Sequence, residues 1–424
     1  MDRFVIEGGV TLKGDVSASG AKNAVLPILA ASIMAKDTSV IHNVPDLQDV
    51  KTMLKILEYL GAKASFKNAT IEIDPKGIHR YDAPYEFVKT MRASIALLGP
   101  VIARMGKARF SLPGGCVIGS RPIDLHIKGL QRLGVDVRVE GGYVLAETSG
   151  KLKGNYIFLG GSFGSSVLAT ANVMCAATMA KGTTVIEFAA CEPEITDLAR
   201  FLVKMGAKID GIGSPCITIT GVKSLHGTEH SMIPDRIETG TFLVAGAITG
   251  GCVTVEKCQP LHLGAFLEKL NETGVEIKTG KNFITVKGKN RWKSVDVVTL
   301  AYPGFPTDLQ AQMMAFLSLA DGVSVITEKV FPERFIHAGE LNRLGANISL
   351  DGAKAIVKGV RKLFGARVMA SDLRASAALV LAGLAAEGTT YVSRIYHLFR
   401  GYQKFEEKLS TIGARIRKEK DTMT

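Results

Sequence analysis

Three blocks of this 424-residue chain combine reactive or charged side chains with backbone signals that expose them. The run SLPGGCVIGSRPIDLH at 111–126 carries Cys116 directly after two glycines and Arg121 five residues later. A glycine-rich loop leaves a thiol accessible and a nearby guanidinium favours the thiolate, so Cys116 suits acid–base or nucleophilic work beside an anion. As a small apolar side chain it would equally fill a core site. SGAKNA at 19–24 puts Lys22 and Asn23 at a helix start, where free N–H groups and an ammonium together suit an anion. The GxxxxGK[ST] spacing of a P-loop is missing, and an ordinary helix N-terminus reads the same way. FPTDLQAQMMAF at 305–316 sets Asp308 ahead of an apolar helix, as an N-cap or, with a substrate hydroxyl beside it, as a general base. The methionines at 313–314 read as core.

Two further blocks each open an apolar run on one arginine: KTMRASIALLGP (89–100) with Arg92 and MASDLRASAALVLAG (369–383) with Arg374. A guanidinium at such a junction holds a phosphate or carboxylate bidentately, or snorkels from a core helix. Their recurrence in both halves of the chain favours the binding role.

The elements that must position these groups follow from a repeat. LGAKASF (60–66), LGVDVRV (133–139), MGAKIDG (205–211), TGVEIKT (273–279), LGANISL (344–350) and IGARIRK (412–418) each end a helix-like run on glycine and open a strand. The glycines are spaced by 73, 72, 68, 71 and 68 residues, and glycine suits a helix exit through a left-handed residue. Small-residue helix runs ending in a turn and a strand alternate with them, as in MAKGTTVIEFAACEPE (179–194). The chain is therefore α/β in the broad sense (α+β), in units of about 70 residues. Six copies in two sets of three predict two similar domains. One spans 21–232 with a mobile cysteine loop at about 112–122, and the other combines 1–20 with 233–424. The first strand, RFVIEGGVTL, has no unit of its own and is expected to complete the second domain. Ligands favour the cleft between such domains. The loops after the second element of each repeat carry Cys116 with Arg121, Glu192 with Glu194, Arg334, and Arg400, and are expected to be equivalent in space.

Composition narrows the partners. With 46% hydrophobic and 22% charged residues the chain supports two or three cores rather than disorder. The net charge of +12 is spread along the chain and aromatics are only 7%, which argues for small anionic substrates over nucleic acid. Six cysteines without a CxxC pair or a His/Cys cluster support neither a metal nor a disulfide framework, and a reducing cytoplasm fits them best. MDRFVIEGGV is no secretory signal, and apolar stretches such as 375–386 are too short for membrane insertion.

SGAKNA, YEFVKTMRAS, LPGGCVIGSRPIDLH, CAATMAKGTT, EPEITD, PDRIETGTFL, FPTDLQAQ, ERFIH, DLRASAALVLAG and IYHLFRGY together resemble the UDP-N-acetylglucosamine 1-carboxyvinyltransferase family of enolpyruvyl transferases, over nearly the whole chain. The resemblance implies two domains, each of three βαβαββ-type units around buried helices, an inside-out α/β barrel with the active site in the inter-domain cleft. It implies transfer of the enolpyruvyl group of phosphoenolpyruvate to the 3-hydroxyl of UDP-N-acetylglucosamine by addition and elimination of phosphate, the first committed step of peptidoglycan synthesis, in the cytoplasm and without cofactor or metal. Lys22, Arg121 and Arg400 look like the grip on phosphoenolpyruvate, with Arg92 and Arg374 adding positive charge, and Arg334 is expected among the substrate contacts. Asn23 looks like a substrate-orienting group, and Asp308 like the acceptor of the hydroxyl proton. Arg121, Pro122, Ile123, Asp124, Leu125 and His126, extended by Ser162, Phe163, Gly164 and Val330, resemble the uridine and diphosphate site. Cys116 resembles the thiol of the mobile loop, the target of epoxide phosphonates such as fosfomycin. Gly160, Cys191 and Phe399 depart from residues frequent in the family, a lysine, an arginine and an acidic side chain. The nearest rival, 5-enolpyruvylshikimate-3-phosphate synthase, lacks the PGGCxxGxRPxDLH loop. A basic nucleic-acid-binding repeat protein is favoured only by the charge, and a silent nucleotide-sugar-binding paralogue sits badly with the intact Lys22, Cys116, Asp308 and Arg400.

Overall fold

Several helices of this chain have no face to offer water. In Val167–Thr178, Arg236–Ile248, Gln310–Leu317 and Leu373–Ala385 nearly every residue is buried, as are Ala24 to Ser32 in Lys22–Ser32. A helix apolar on all sides must be enclosed, so these form the inside and the sheets lie around them. Other helices are amphipathic: Gln48–Leu60 buries Val50, Met53, Leu54 and Leu57, the i, i+3, i+4, i+7 stripe of a helix covered on one side. These facts come from a computed structural model that describes residues 2–88, 91–112 and 123–420, apart from the side chains of Phe87 and Arg92.

Among the described residues the strands form six four-stranded sheets and one short hairpin. Each of the six is mixed, with one parallel and two antiparallel pairings; Val297–Thr299 runs parallel to Val323–Glu328, which pairs antiparallel with Lys354–Lys358, itself antiparallel to Asn347–Asp351. The six repeat glycines, at 61, 134, 206, 274, 345 and 413, all take positive φ between 87° and 109°. A side chain at those exits would be strained, which is why glycine marks the period in the sequence.

The chain divides into two compact units, one of residues 20–112 and 123–233, the other of 2–19 and 234–420. Each has its own apolar core. In the second unit the N-terminal strand Asp2–Glu7 lies antiparallel between Thr389–Ser393 and Arg415–Lys420, with Phe4 opposite both Val392 and Lys418. It takes the place that a hairpin strand fills in the other repeats, so the last sheet is completed by the first strand. In the other unit Glu229–Ser231 returns to pair parallel with Ser39–His42 and completes the first sheet. Among the described residues no helix is long and apolar enough to cross a membrane.

Candidate functional site

Asp308 lies within a 3-10 turn, Thr307–Leu309, rather than at a helix cap. Pro306 precedes it in extended conformation and the buried helix Gln310–Leu317 follows. Its Oδ1 accepts a hydrogen bond from Arg334 Nη1 and its Oδ2 one from Arg374 Nη2, both at 2.8 Å. The two guanidinium side chains are only 5% and 3% exposed, while the carboxylate retains 25% exposure. Arg334 and Arg374, expected from the sequence as substrate contacts, are thus turned onto the candidate base.

The electrostatics follow from that geometry. Burial on its own would raise the Asp308 carboxyl, but Arg374 and Arg334 outweigh it and hold it well below the usual carboxylate range. Arg374 is correspondingly raised despite burial, by Asp308 and by Tyr402 and Asp235. Its guanidinium lies 5.5 Å from the Tyr402 ring. The side-chain amide of Gln312 donates to the Asp308 carbonyl at 3.0 Å and to Thr241 Oγ1 and the Tyr402 hydroxyl at 3.2 Å, so a hydrogen-bonded floor supports the turn. Asp372 caps Leu373–Ala385, accepting from the Arg374 and Ala375 N–H groups at 2.8 and 3.1 Å, which sets where Arg374 begins its reach.

His337, buried on the helix that follows Arg334, has an acid-sensitive consequence. Burial pushes its imidazole down to about 4, with Asp372 opposing and Arg334 reinforcing the fall. In the unfolded chain the ring takes its proton near pH 6.5. Between those values the unfolded state binds more protons, so stability is expected to decline as pH falls from about 6.5 to about 4, by roughly 3 kcal/mol in full. Urea unfolding at pH 7.5 and pH 4.5 measures this; the same loss in His337→Asn would assign it to other groups.

The remaining sequence-assigned residues are placed as follows. Lys22 opens helix Lys22–Ser32 with its ammonium 3.0 Å from the buried Asp49 carboxylate, a partner that sequence reading did not supply. Asn23 is half-buried one residue on. Ile123 precedes helix Asp124–Arg132, on which Asp124 is exposed, Leu125 half-buried and His126 buried. His126 Nδ1 lies 2.9 Å from the Asn172 side-chain amide, whose nitrogen also donates to the Ile95 carbonyl at 2.9 Å. Exposed Ser162 and Phe163 and the positive-φ Gly164 form the tip of the hairpin of Gly160–Gly161 and Gly164–Ser165. Arg400 ends the 3-10 helix Ile395–Arg400, half-buried, where burial and then the Arg400 charge push His397 downward. Arg92 begins the 3-10 helix Arg92–Leu97. Cys116, Arg121 and Pro122 lie outside the described residues. Among the described residues no group of His, Cys, Asp or Glu has the arrangement of a metal site.

Against known proteins, residues 6–409 match the family model of EPSP synthase (3-phosphoshikimate 1-carboxyvinyltransferase). The chain is 54% identical over 416 residues to a UDP-N-acetylglucosamine 1-carboxyvinyltransferase of Methylacidiphilum infernorum, covering 98% of each. It is 53% identical over 418 residues to that of Desulfosudis oleivorans, covering 99% of each. The chain belongs to the UDP-N-acetylglucosamine 1-carboxyvinyltransferase family of enolpyruvyl transferases. Among solved structures, the enolpyruvyl transferase NikO from Streptomyces tendae superposes with a TM-score of 0.88 at 27% identity, over 98% of both chains. An EPSP synthase from Acinetobacter baumannii gives 0.75 at 20% identity over 99% of this chain and all of the other, a likeness of fold.

The three departures within this carboxyvinyltransferase sequence have local settings. A Cβ at Gly160 would lie 2.5 Å from the Phe158 ring, so a longer residue there needs that ring to move. Phe399 packs edge-on to Phe4 of the inserted N-terminal strand, centroids 6.2 Å apart, with the Lys418 ammonium 5.0 Å from its own ring. Burial, and then Glu192, raise the Cys191 thiol, which disfavours its thiolate. Sequence reading missed Asp49, Thr307, Glu328, Asp372, Tyr402 and Asn172. Only Thr307 carried a signal, as the neighbour of Asp308.

Proposed function

We propose that the chain transfers the enolpyruvyl group of phosphoenolpyruvate to the 3-hydroxyl of UDP-N-acetylglucosamine and releases phosphate, the committing reaction of peptidoglycan synthesis. Full-length identity above one half to enzymes bearing that name carries this reading. The setting of Asp308 supports a role for it at the reacting hydroxyl: a partly exposed carboxylate held by two buried cations is fixed in direction and ionised.

In the proposed mechanism the hydroxyl oxygen attacks C2 of the enolpyruvyl group while C3 takes a proton, and Asp308 accepts the hydroxyl proton. Phosphate then leaves the tetrahedral adduct as C3 gives up a proton and the electrons of that C–H bond re-form the C2–C3 double bond. A strongly ionised carboxylate is a weak base in the empty site. Bound substrate carries several negative charges, which offset Arg334 and Arg374 and raise the basicity of Asp308 when the proton must move. Lys22, Arg121 and Arg400 would hold phosphoenolpyruvate and stabilise the departing phosphate, with Arg92 adding positive charge. Asn23 would orient the sugar. Ile123 to His126, Ser162 to Gly164 and Val330 would take the nucleotide, and Cys116 would act as a weak acid near the phosphate.

Phosphate release from phosphoenolpyruvate, measured with and without UDP-N-acetylglucosamine, tests the assignment. Release is expected only with the nucleotide sugar. Release with shikimate 3-phosphate in its place, or none with either acceptor, would overturn it.

A further inference from the structure

We infer that Glu328 is a positioning residue that fixes the proton-accepting group and the nucleotide-facing loop together, an inference resting on the role of Asp308 proposed above. Glu328 ends strand Val323–Glu328 and stands opposite Thr299 in the parallel register. At the same strand end in two other repeats stand Glu187 and Glu256, both exposed, so the scaffold does not require a buried carboxylate there. Glu328 is fully buried. A buried carboxylate is costly unless its oxygens are met by donors, and here four meet it. Oε1 accepts from Thr299 Oγ1 at 2.5 Å and from the Val330 and Phe331 N–H groups at 2.9 Å. Oε2 accepts from Thr307 Oγ1 at 2.9 Å.

The last contact connects to the site. Thr307 Oγ1 also accepts a hydrogen bond from Arg334 Nη1 at 3.0 Å, and that nitrogen donates to Asp308 Oδ1 at 2.8 Å. Arginine only donates, so a Thr307 lone pair faces Arg334 and the hydroxyl hydrogen is directed to Glu328 Oε2. Glu328 therefore sets the polarity of Thr307, Thr307 seats Arg334, and Arg334 holds one oxygen of Asp308. Through the same carboxylate, the backbone at Val330 and Phe331 is tied to the same point. A glutamine at 328 cannot reproduce this: with its oxygen on the three Oε1 donors, its NH2 faces Thr307, so the hydroxyl's hydrogen loses its acceptor and must turn away, which alters how Thr307 meets Arg334.

Thr307→Val, Thr307→Ser and Glu328→Gln in the full chain test the relay through phosphate release, the pH dependence of kcat, the KM for UDP-N-acetylglucosamine and thermal unfolding. Thr307→Val is expected to lower kcat about tenfold with the nucleotide-sugar KM changed less than about threefold, and to move the acid limb of the kcat profile to higher pH as Arg334 loosens from Asp308. Thr307→Ser is expected to stay within about twofold of the parent, because the hydroxyl is kept. Glu328→Gln is expected to show the same acid-limb shift and, in addition, a raised nucleotide-sugar KM. Wild-type turnover with an unmoved acid limb in Thr307→Val would overturn the relay. So would equal losses in the valine and serine variants, tracking a lowered melting temperature, since that is loss of fold alone. No phosphate release by the unsubstituted chain would instead overturn the functional reading, and this inference with it.

Discussion

Asp308→Ala is expected to lower phosphate release at saturating substrates by roughly a hundredfold to ten-thousandfold, the span that a positioned general base contributes. Nucleotide-sugar binding, measured by titration calorimetry, is expected to remain. Removing the carboxylate has a second effect, because it leaves the buried Arg334 and Arg374 cations without the carboxylate they share. Breaking a buried pair from one side costs about 3–5 kcal/mol, so the alanine variant should also unfold at lower denaturant. Asp308→Asn separates the two effects: it keeps volume and one accepting oxygen, so some stability returns while the base stays absent. Turnover in Asp308→Asn near that of the parent would show that another group takes the proton.

Gly99→Ala is expected to destabilise the unit containing it by about 2–6 kcal/mol, read as a fall in the urea midpoint. Gly99 lies in helix Leu98–Met105, and a Cβ built on it would sit 2.1 Å from the Asn172 carbonyl oxygen and 2.8 Å from its carbon. Both atoms are backbone of another buried helix, so no side chain can turn aside; the helices must separate. The Gly99 N–H also donates to Asn172 Oδ1 at 2.6 Å, a bond that separation would break. Overpacking costs about 1–3 kcal/mol and an unmet buried polar group about as much again, and the sum sets the expected size. Because Asn172 also contacts His126, proposed above to take the nucleotide, nucleotide-sugar affinity should weaken in whatever Gly99→Ala protein remains folded. A midpoint within experimental error of the parent would show that the helices re-pack freely.

The site was legible unevenly. Asp308 could be picked out because Pro-Thr-Asp before an apolar helix is a local pattern, yet the same pattern read also as a cap; the fold instead sets it within a 3-10 turn with its carboxylate held by two arginines, 26 and 66 residues further on. Lys22 stood out at a helix start, but Asp49, which pairs with it, looked like any acidic residue in the first turn of an amphipathic helix. Glu328 carried no signal at all, since a glutamate ending a strand is ordinarily solvated and its burial comes from the segments folded over it.

The sixfold period, the α/β class and the family could all be read from the linear chain of residues. Those rest on short-range facts: a helix exit that only glycine takes without strain, apolar spacing that selects helix or strand, and motif blocks of a few consecutive residues. Which charges are partnered, why Gly99 leaves no room for a side chain, and the two strands, nearly 400 residues away, that flank the first one emerge from the folded chain. Such pairings are chosen by burial: once water is excluded, every charge and backbone group needs a partner in reach, and which partner arrives depends on the path of the whole chain.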